Sequence, residues 1–255
     1  MNIPQGKKVY FASDQHFGVP SFDSSLVREK HFVKWLDEVK QDAAAIYLLG
    51  DLFDFWFEYA SVVPKGFTRV LGKISEITDS GIPVYFFKGN HDMWTFDYLV
   101  KECGVKLYSD PVHTEINGKS FLIGHGDGLG PGDFWYKRIK AFFANPLMQW
   151  CFARLHPNFG VGLANYFSRS SRAKNATEDK TYHGDENEWL VLYVKEELKK
   201  QHRDYFVFGH RHYAMNLDLG NNSHYINLGD WVVDFTYAVF DGKNMALKEY
   251  GKPTF

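Results

Sequence analysis

Short apolar runs alternate with longer amphipathic stretches over most of the chain. Residues 9–12 (Val-Tyr-Phe-Ala), 46–49 (Ile-Tyr-Leu-Leu) and 83–87 are compact runs closed by polar residues or glycine, the pattern of buried strands. Between them, 24–40 and 66–79 carry apolar residues at helical spacing: Leu26, Phe32, Val33 and Leu36 in the first, Val70, Leu71, Ile74 and Ile77 in the second. This alternation predicts an α/β protein. After Pro111 the texture changes, and two strands over 112–116 and 119–124 flank Asn117-Gly118, a strong hairpin signal. A helix over about 186–201 leads into a strand over 205–209, and further strands turn at Gly220-Asn221-Asn222 and Asp241-Gly242. No repeat or low-complexity linker divides the chain, so residues 1–255 read as one domain with a helical insertion at about 133–180.

Composition narrows the class without naming a function. Twenty-nine Lys and Arg against 31 Asp and Glu leave a net charge of −2, and 45% hydrophobic residues exclude a disordered or collagen-like chain. Two cysteines, Cys103 and Cys151, make no disulfide framework; both are expected to be small buried side chains in a reducing compartment. The polar start at residues 1–8 lacks the shape of a signal peptide. The longest uncharged stretch, 141–153, is broken by Asn145, Pro146 and Gln149 and is too short to span a bilayer, so a cytoplasmic protein is expected.

The charge is unevenly placed. Residues 134–177 contain no Asp or Glu but seven bases (Lys137, Arg138, Lys140, Arg154, Arg169, Arg172, Lys174) set among ten aromatics. Such a segment is either a helical subdomain with its own aromatic core or a surface for an anionic amphiphile or a membrane face. The acidic remainder of the chain argues against a long phosphate-tracking groove, and so against a nucleic-acid partner.

Five short blocks place ligand-type side chains directly after predicted strands: Asp14-Gln15-His16, Gly50-Asp51-Leu52-Phe53-Asp54, Gly89-Asn90-His91-Asp92, Gly124-His125-Gly126-Asp127 and Gly209-His210-Arg211-His212. Strand ends are where α/β folds build their sites. Spacing of two in Asp14/His16 and His210/His212 puts both side chains on one side of an extended segment, and the glycines at 50, 89, 124 and 209 are expected to turn the backbone sharply toward a common cleft. Carboxylate, amide and imidazole without thiolate suit Mn²⁺, Fe²⁺ or Zn²⁺, and seven or more N/O ligands suggest two ions with open positions rather than one closed structural shell.

In order and type these blocks resemble the calcineurin-like metallophosphoesterase superfamily, with its D-x-H, G-D-x-x-D, G-N-H-D/E, G-H-x-D and G-H-x-H pattern. The resemblance implies an α/β/β/α fold of two packed mixed sheets flanked by helices. It makes Asp14, His16 and His212 ligands of one divalent ion and Asn90, His125 and His210 ligands of the other, bridged by Asp51, with Mn²⁺ the expected metal. His91 would stand near the scissile phosphate as acid or charge stabiliser, with Asp54 as its carboxylate partner. Within the superfamily the chain looks most like the UDP-2,3-diacylglucosamine pyrophosphohydrolases of lipid A synthesis, on the strength of Gly50 to Trp56 and of the basic insertion ending in Asn165-Tyr166-Phe167-Ser168-Arg169-Ser170-Ser171-Arg172. That likeness implies release of UMP from a nucleotide-linked lipid, with Asn90, His91, Ser168, Arg169 and Arg172 at the substrate. The basic, aromatic insertion adds an expectation of peripheral contact with the inner membrane surface, and no obligate protein partner is inferred. His91 stands where that family usually has Arg, which leaves another nucleotide-linked or phosphorylated amphiphile as the alternative. A non-catalytic scaffold is disfavoured because no ligand position is missing.

Overall fold

The structure, a computed structural model, describes residues 1–19, 22–132, 134–175, 182 and 184–253, the side chains of 22, 23 and 169–175 excepted. In chain order the elements are β1 (Lys8–Ala12), α1 (Phe22–Val39), β2 (Ala43–Leu49), α2 (Thr68–Asp79), β3 (Val84–Phe87), α3 (Tyr98–Cys103), β4 (Lys106–Tyr108), β5 (Val112–Ile116) and β6 (Lys119–Ile123). There follow α4 (Phe134–Ala144), α5 (Pro146–Ala153), α6 (Pro157–Asn175), α7 (Trp189–Lys200), β7 (Tyr205–Phe208), β8 (Met215–Gly220), β9 (Ser223–Asn227), β10 (Thr236–Phe240) and β11 (Met245–Glu249).

The strands form two mixed sheets, ordered β11-β10-β1-β2-β3-β4 and β5-β6-β7-β9-β8. In the first, β1, β2, β3 and β4 run parallel and β10 and β11 join by antiparallel pairing; in the second, β6, β7 and β9 run parallel and antiparallel β5 and β8 close its edges. Side-chain alternation explains the unbroken apolar runs. Val9, Phe11, Ala45, Tyr47 and Leu49 face the second sheet and meet Phe121, Ile123, Val207 and Ile226, while Tyr10, Ala12, Ile46 and Leu48 face the helices on the outside. Strands β1, β2 and β7 are buried on both faces, so their sequences cannot alternate with polar residues.

Helices α1, α2 and α3 cover the outer face of the first sheet, and α7 covers that of the second, giving the expected α/β/β/α layering. On α2 the buried residues are the four that the periodicity picks out, Val70, Leu71, Ile74 and Ile77. On α1, Phe32 and Leu36 are buried as expected and Trp35 with them, but Leu26 and Val33 are only half-buried. Strand β2 begins at Ala43, before its apolar run, because Lys8 and Val9 of β1 pair with Ala43 and Ala45. Neither α3 nor β4 stands out in the sequence. The first is a short helix whose start is held from a distance: Glu58 Oε2 accepts from the backbone N–H of Phe96, Asp97 and Tyr98 at 2.7, 2.7 and 3.1 Å.

The insertion between β6 and α7 is built differently. No residue of α4 or α5 is buried, and ten large apolar side chains of residues 134–167 are exposed, Trp135 at 73% and Tyr166 at 69% among them. Its aromatics therefore form no core of their own. Phe152 is the main exception, packing on Phe57 and Trp94 with ring centroids 4.7 and 4.6 Å away, and Trp94 Nε1 donates to the Phe143 carbonyl at 2.9 Å. Cys103 is buried as expected, whereas Cys151 on α5 is exposed, because α5 has no partner on that face. Among the described residues no helix is long and apolar enough to cross a membrane.

Truncating the inter-sheet contact tests this account of the core. Phe121 is fully buried, stacked on Phe11 at 6.3 Å and set edge-on to Phe240 at 5.2 Å. Phe121→Ala is expected to cost about 3–5 kcal/mol in urea unfolding; a loss under about 1 kcal/mol would show that the sheets do not depend on this contact.

Candidate metal centre

All five blocks meet at one edge of the two sheets, because each leaves the C-terminal end of a parallel strand: β1, β2, β3, β6 and β7. Backbone hydrogen bonds carry the pairing past the strands. Asp14 N–H donates to Gly50 O (3.1 Å), His16 N–H to Asp51 O (2.9 Å) and Gly209 N–H to His125 O (2.9 Å). The turns themselves differ from expectation. Of Gly50, Gly89, Gly124 and Gly209 only Gly50 has a left-handed backbone (φ 85°); positive φ falls instead on the ligand residues, at 59° for Asp14, 45° for His16, 54° for Asp51, 69° for His210 and 40° for His212, and on Gly126 at 119°. Each such residue costs on the order of 1–3 kcal/mol, and Asp and His are among the few types enriched in this region. Gly89 serves close approach instead, since a Cβ there would collide with the Asp51 carboxylate.

These turns gather the side chains. Asp14, His16 and His212 each offer an atom within 4.8 Å of the others; so do His16, Asp51 and His91, and likewise Asp14, Asp51 and His125. His16 Nε2 and His212 Nε2 lie 3.1 Å apart. Asp14 Oδ1, fully buried, has His212 Nε2 at 3.3 Å and His16 Nε2 at 3.7 Å, neither in hydrogen-bond geometry. A buried carboxylate oxygen and converging imidazole lone pairs make a donor set that fits a divalent cation, and the absence of thiolate fits a hard or borderline one. Asp51 uses its two oxygens separately: Oδ1 accepts from His91 N–H at 2.8 Å, while Oδ2 faces His125 Nε2 at 3.4 Å and His16 Nε2 at 3.7 Å. Asn90 Oδ1 lies 3.2 Å from His125 Nε2, and His210 N–H donates to Asp14 Oδ2 at 2.9 Å, with the His125 and His210 rings 5.2 Å apart.

Electrostatics follow from this crowding. Burial alone would raise the Asp14 and Asp51 carboxyls, but the surrounding imidazoles hold both well below the usual carboxylate range. Desolvation opposes charge on His125, yet Asp51 beside it pushes the imidazole up to about 10. Desolvation and then the His125 charge lower His210 to about 4. Asp92 accepts from Leu52 and Gly89 N–H at 2.9 and 2.8 Å; burial, and Asp51 nearby, raise it to about 7.

The remaining site residues flank this cluster. His91 Nδ1–H donates to the Asp54 carbonyl at 2.8 Å and lies 3.5 Å from its carboxylate, which fixes Nδ1 as a protonated nitrogen. Ser168 of α6 donates to Asp54 Oδ2 at 2.8 Å and sits 3.4 Å from His91 Nδ1. The side chains of Arg169 and Arg172, and all of His183, lie outside the described residues. Two more carboxylates contribute. Asp230 forms a turn, its Oδ1 accepting from the N–H groups of residues 232, 233 and 234, and it also sets Oδ2 3.7 Å from His212 Nδ1. Asp127 Oδ2 accepts from Tyr136 and pairs with Lys140, both at 2.7 Å, and so ties α4 to the loop carrying His125; the G-H-x-D spacing was the available signal for the second.

A family profile described as calcineurin-like phosphoesterase matches residues 7–214. UDP-2,3-diacylglucosamine hydrolase of Porphyromonas gingivalis (strain ATCC BAA-308 / W83) is 38% identical over 260 residues, covering 94% of this chain and 97% of that protein. The protein of the same name from Edwardsiella ictaluri (strain 93-146) is 30% identical, covering 86% and 84% respectively. Among solved structures, Yfce, a phosphoesterase from E. coli, aligns over 97% of this chain and 95% of its own with a TM-score of 0.49 at 13% identity.

The raised His125 gives a pH prediction for the centre. Without an ion this imidazole keeps its proton up to about pH 10, and a ligating imidazole must be neutral. Ion uptake at pH 7 is therefore expected to release a proton, and apparent affinity to rise with pH toward 10. Titration calorimetry in buffers of different ionisation enthalpy reads this directly; proton-neutral uptake would remove His125 from the ligands.

Proposed function

The chain belongs to the calcineurin-like phosphoesterase family and is a metal-dependent hydrolase, and from that premise we propose that it cleaves the pyrophosphate bond of UDP-2,3-diacylglucosamine, releasing UMP and 2,3-diacylglucosamine 1-phosphate. One observation carries the choice of substrate: a phosphoesterase-type centre lies directly under an insertion whose apolar side chains are exposed and whose charges are basic. An acylated, anionic substrate satisfies both at once. The names of the two relatives above support the same reading.

In this reading Asp14, His16 and His212 hold one ion, Asn90, His125 and His210 hold the other, and Asp51 bridges, with Mn²⁺ the proposed metal and Fe²⁺ or Zn²⁺ the alternatives. Two divalent ions there would supply Lewis acidity at the phosphoryl oxygens and a water of lowered pKa. Asp51 is suited to bridging because Oδ1 is oriented by the His91 N–H while Oδ2 stays between His16 and His125. Neutral Asn90 adds no negative charge to repel phosphate. His91, its Nδ1 proton committed to Asp54, presents Nε2 as acid or as positive charge beside the leaving oxygen. Residues 1–255 then act as one domain in which 133–180 is a lid that shelters acyl chains, with Ser168, Arg169 and Arg172 on its substrate side. The exposed Trp135, Phe142, Trp150 and Phe159 beside lysines and arginines suit peripheral contact with an anionic membrane surface. The histidine at 91 supports a second reading, a different phosphorylated or nucleotide-linked amphiphile handled by the same machinery.

UMP release from UDP-2,3-diacylglucosamine with Mn²⁺, set against hydrolysis of bis(p-nitrophenyl) phosphate, separates the two. Efficient release of UMP is expected, and cleavage of the small ester alone would overturn the lipid assignment. His91→Ala should keep its metal by elemental analysis while kcat falls by roughly 10²–10⁴; metal lost in step with activity would contradict its role. Trp135→Ala together with Trp150→Ala should raise KM for the lipid substrate and leave the small ester untouched, whereas equal losses on both would make the insertion a support for the fold only.

A further inference from the structure

A pyrophosphate substrate has two ends, and the lid accounts for one. From the lid side the centre can be followed across: Asp54, bonded to Ser168 of α6, has its Oδ1 3.7 Å from His16 Nδ1; His16 Nε2 lies 3.7 Å from Asp51 Oδ2; and that oxygen lies 3.4 Å from His125 Nε2. His125 also lines a cavity of about 230 Å³ at the ends of β3, β4 and β6, whose lining does not include Asp54, His16 or Asp51.

Its lining takes Lys140 from α4 but none of the aromatics of the insertion. Lys88, Ser109, Asp110 and Lys140 are among its polar residues, while Phe87, Pro111 and Leu129 give apolar wall. Lys140 is held in place by its 2.7 Å ion pair with Asp127, the residue two beyond His125. Lys88 precedes Gly89-Asn90-His91, and among the described residues its ammonium has no hydrogen-bonded or ion-paired partner, only the Phe96 ring at 5.8 Å. The volume falls below the roughly 300–1,000 Å³ of drug-sized sites, so it admits one compact ring system and not acyl chains.

We propose that this cavity is a nucleoside subsite, taking the uridine end of the substrate while the lid takes the acyl end. The inference rests on the reading of the substrate given above. A pyrimidine presents flat faces that pack on apolar wall and carbonyl oxygens that accept from lysine, and a ribose presents hydroxyls that donate to a carboxylate such as Asp110 and accept from Ser109. A site equipped with these groups discriminates against a ligand lacking the partners, because its own polar groups are then left unpaired. The substrate would lie across Asp51 with its scissile phosphorus between two subsites of opposite polarity.

UMP and inorganic phosphate, compared as inhibitors of bis(p-nitrophenyl) phosphate hydrolysis, test the subsite without the lipid. Wild-type protein is expected to bind UMP at least tenfold more tightly than phosphate. Lys88→Ala and Asp110→Asn should each erase most of that advantage while leaving the inhibition constant of phosphate unchanged, and Asp110, exposed on a loop, carries the test if the Lys88 variant folds poorly. Equal inhibition by UMP and phosphate in the wild type, or an unaltered ratio in the variants, would overturn the proposal. Should UDP-2,3-diacylglucosamine be cleaved while the ratio stays fixed, the subsite fails and the substrate reading stands; should the ratio respond in a protein that does not cleave it, the substrate reading fails and the subsite stands.

Discussion

Two carboxylates, Asp14 and Asp51, are driven into the interior at the meeting edge of the sheets and remain charged there, and the rest of the architecture is arranged around that fact. Buried like charges are tolerated only where positive partners surround them. Imidazoles after β1, β6 and β7 provide these at 3.3–3.7 Å, and a divalent cation would complete the balance. The cost appears in the backbone, where the ligands themselves hold left-handed conformations that only a stiff, doubly buried pair of sheets can impose. Gly50, Gly89 and Gly209 are points at which a side chain would push the gathered loops apart.

The insertion obeys a different rule. The sheets bury nearly every large side chain they carry, while α4, α5 and α6 expose theirs, and the contacts holding them down are few and concentrated near the centre: Phe152 on Phe57 and Trp94, Tyr136 and Lys140 on Asp127, Ser168 on Asp54. A surface of this size and composition is stable in water only at a cost, and such patches mark interaction sites. Its anchors are neighbours of metal-type ligands. Asp54 is the clearest case, since it touches His16, His91 and the Ser168 hydroxyl of α6.

Much of the molecule is legible in its sequence, for physical reasons particular to its parts. The runs 9–12 and 46–49 announce strands buried on both faces, and the spacing of Val70, Leu71, Ile74 and Ile77 fixes both the helix and its inner side. The five ligand blocks are legible because the chemistry needs particular side chains directly after particular strands, and the family profile covers that same stretch. What the sequence by itself determined is therefore which elements form and which residue types stand at their ends. The tertiary structure alone decided how those ends meet. Helix α3 starts where Glu58, some 40 positions earlier, reaches its N–H groups, and β4 is a strand only because β3 lies beside it. Left-handed turns fall on Asp14, His16, Asp51, His210 and His212 rather than on Gly89, Gly124 and Gly209, and the aromatics of the insertion face outward. These are outcomes of contacts between distant segments, and local pattern carries no record of distance in space.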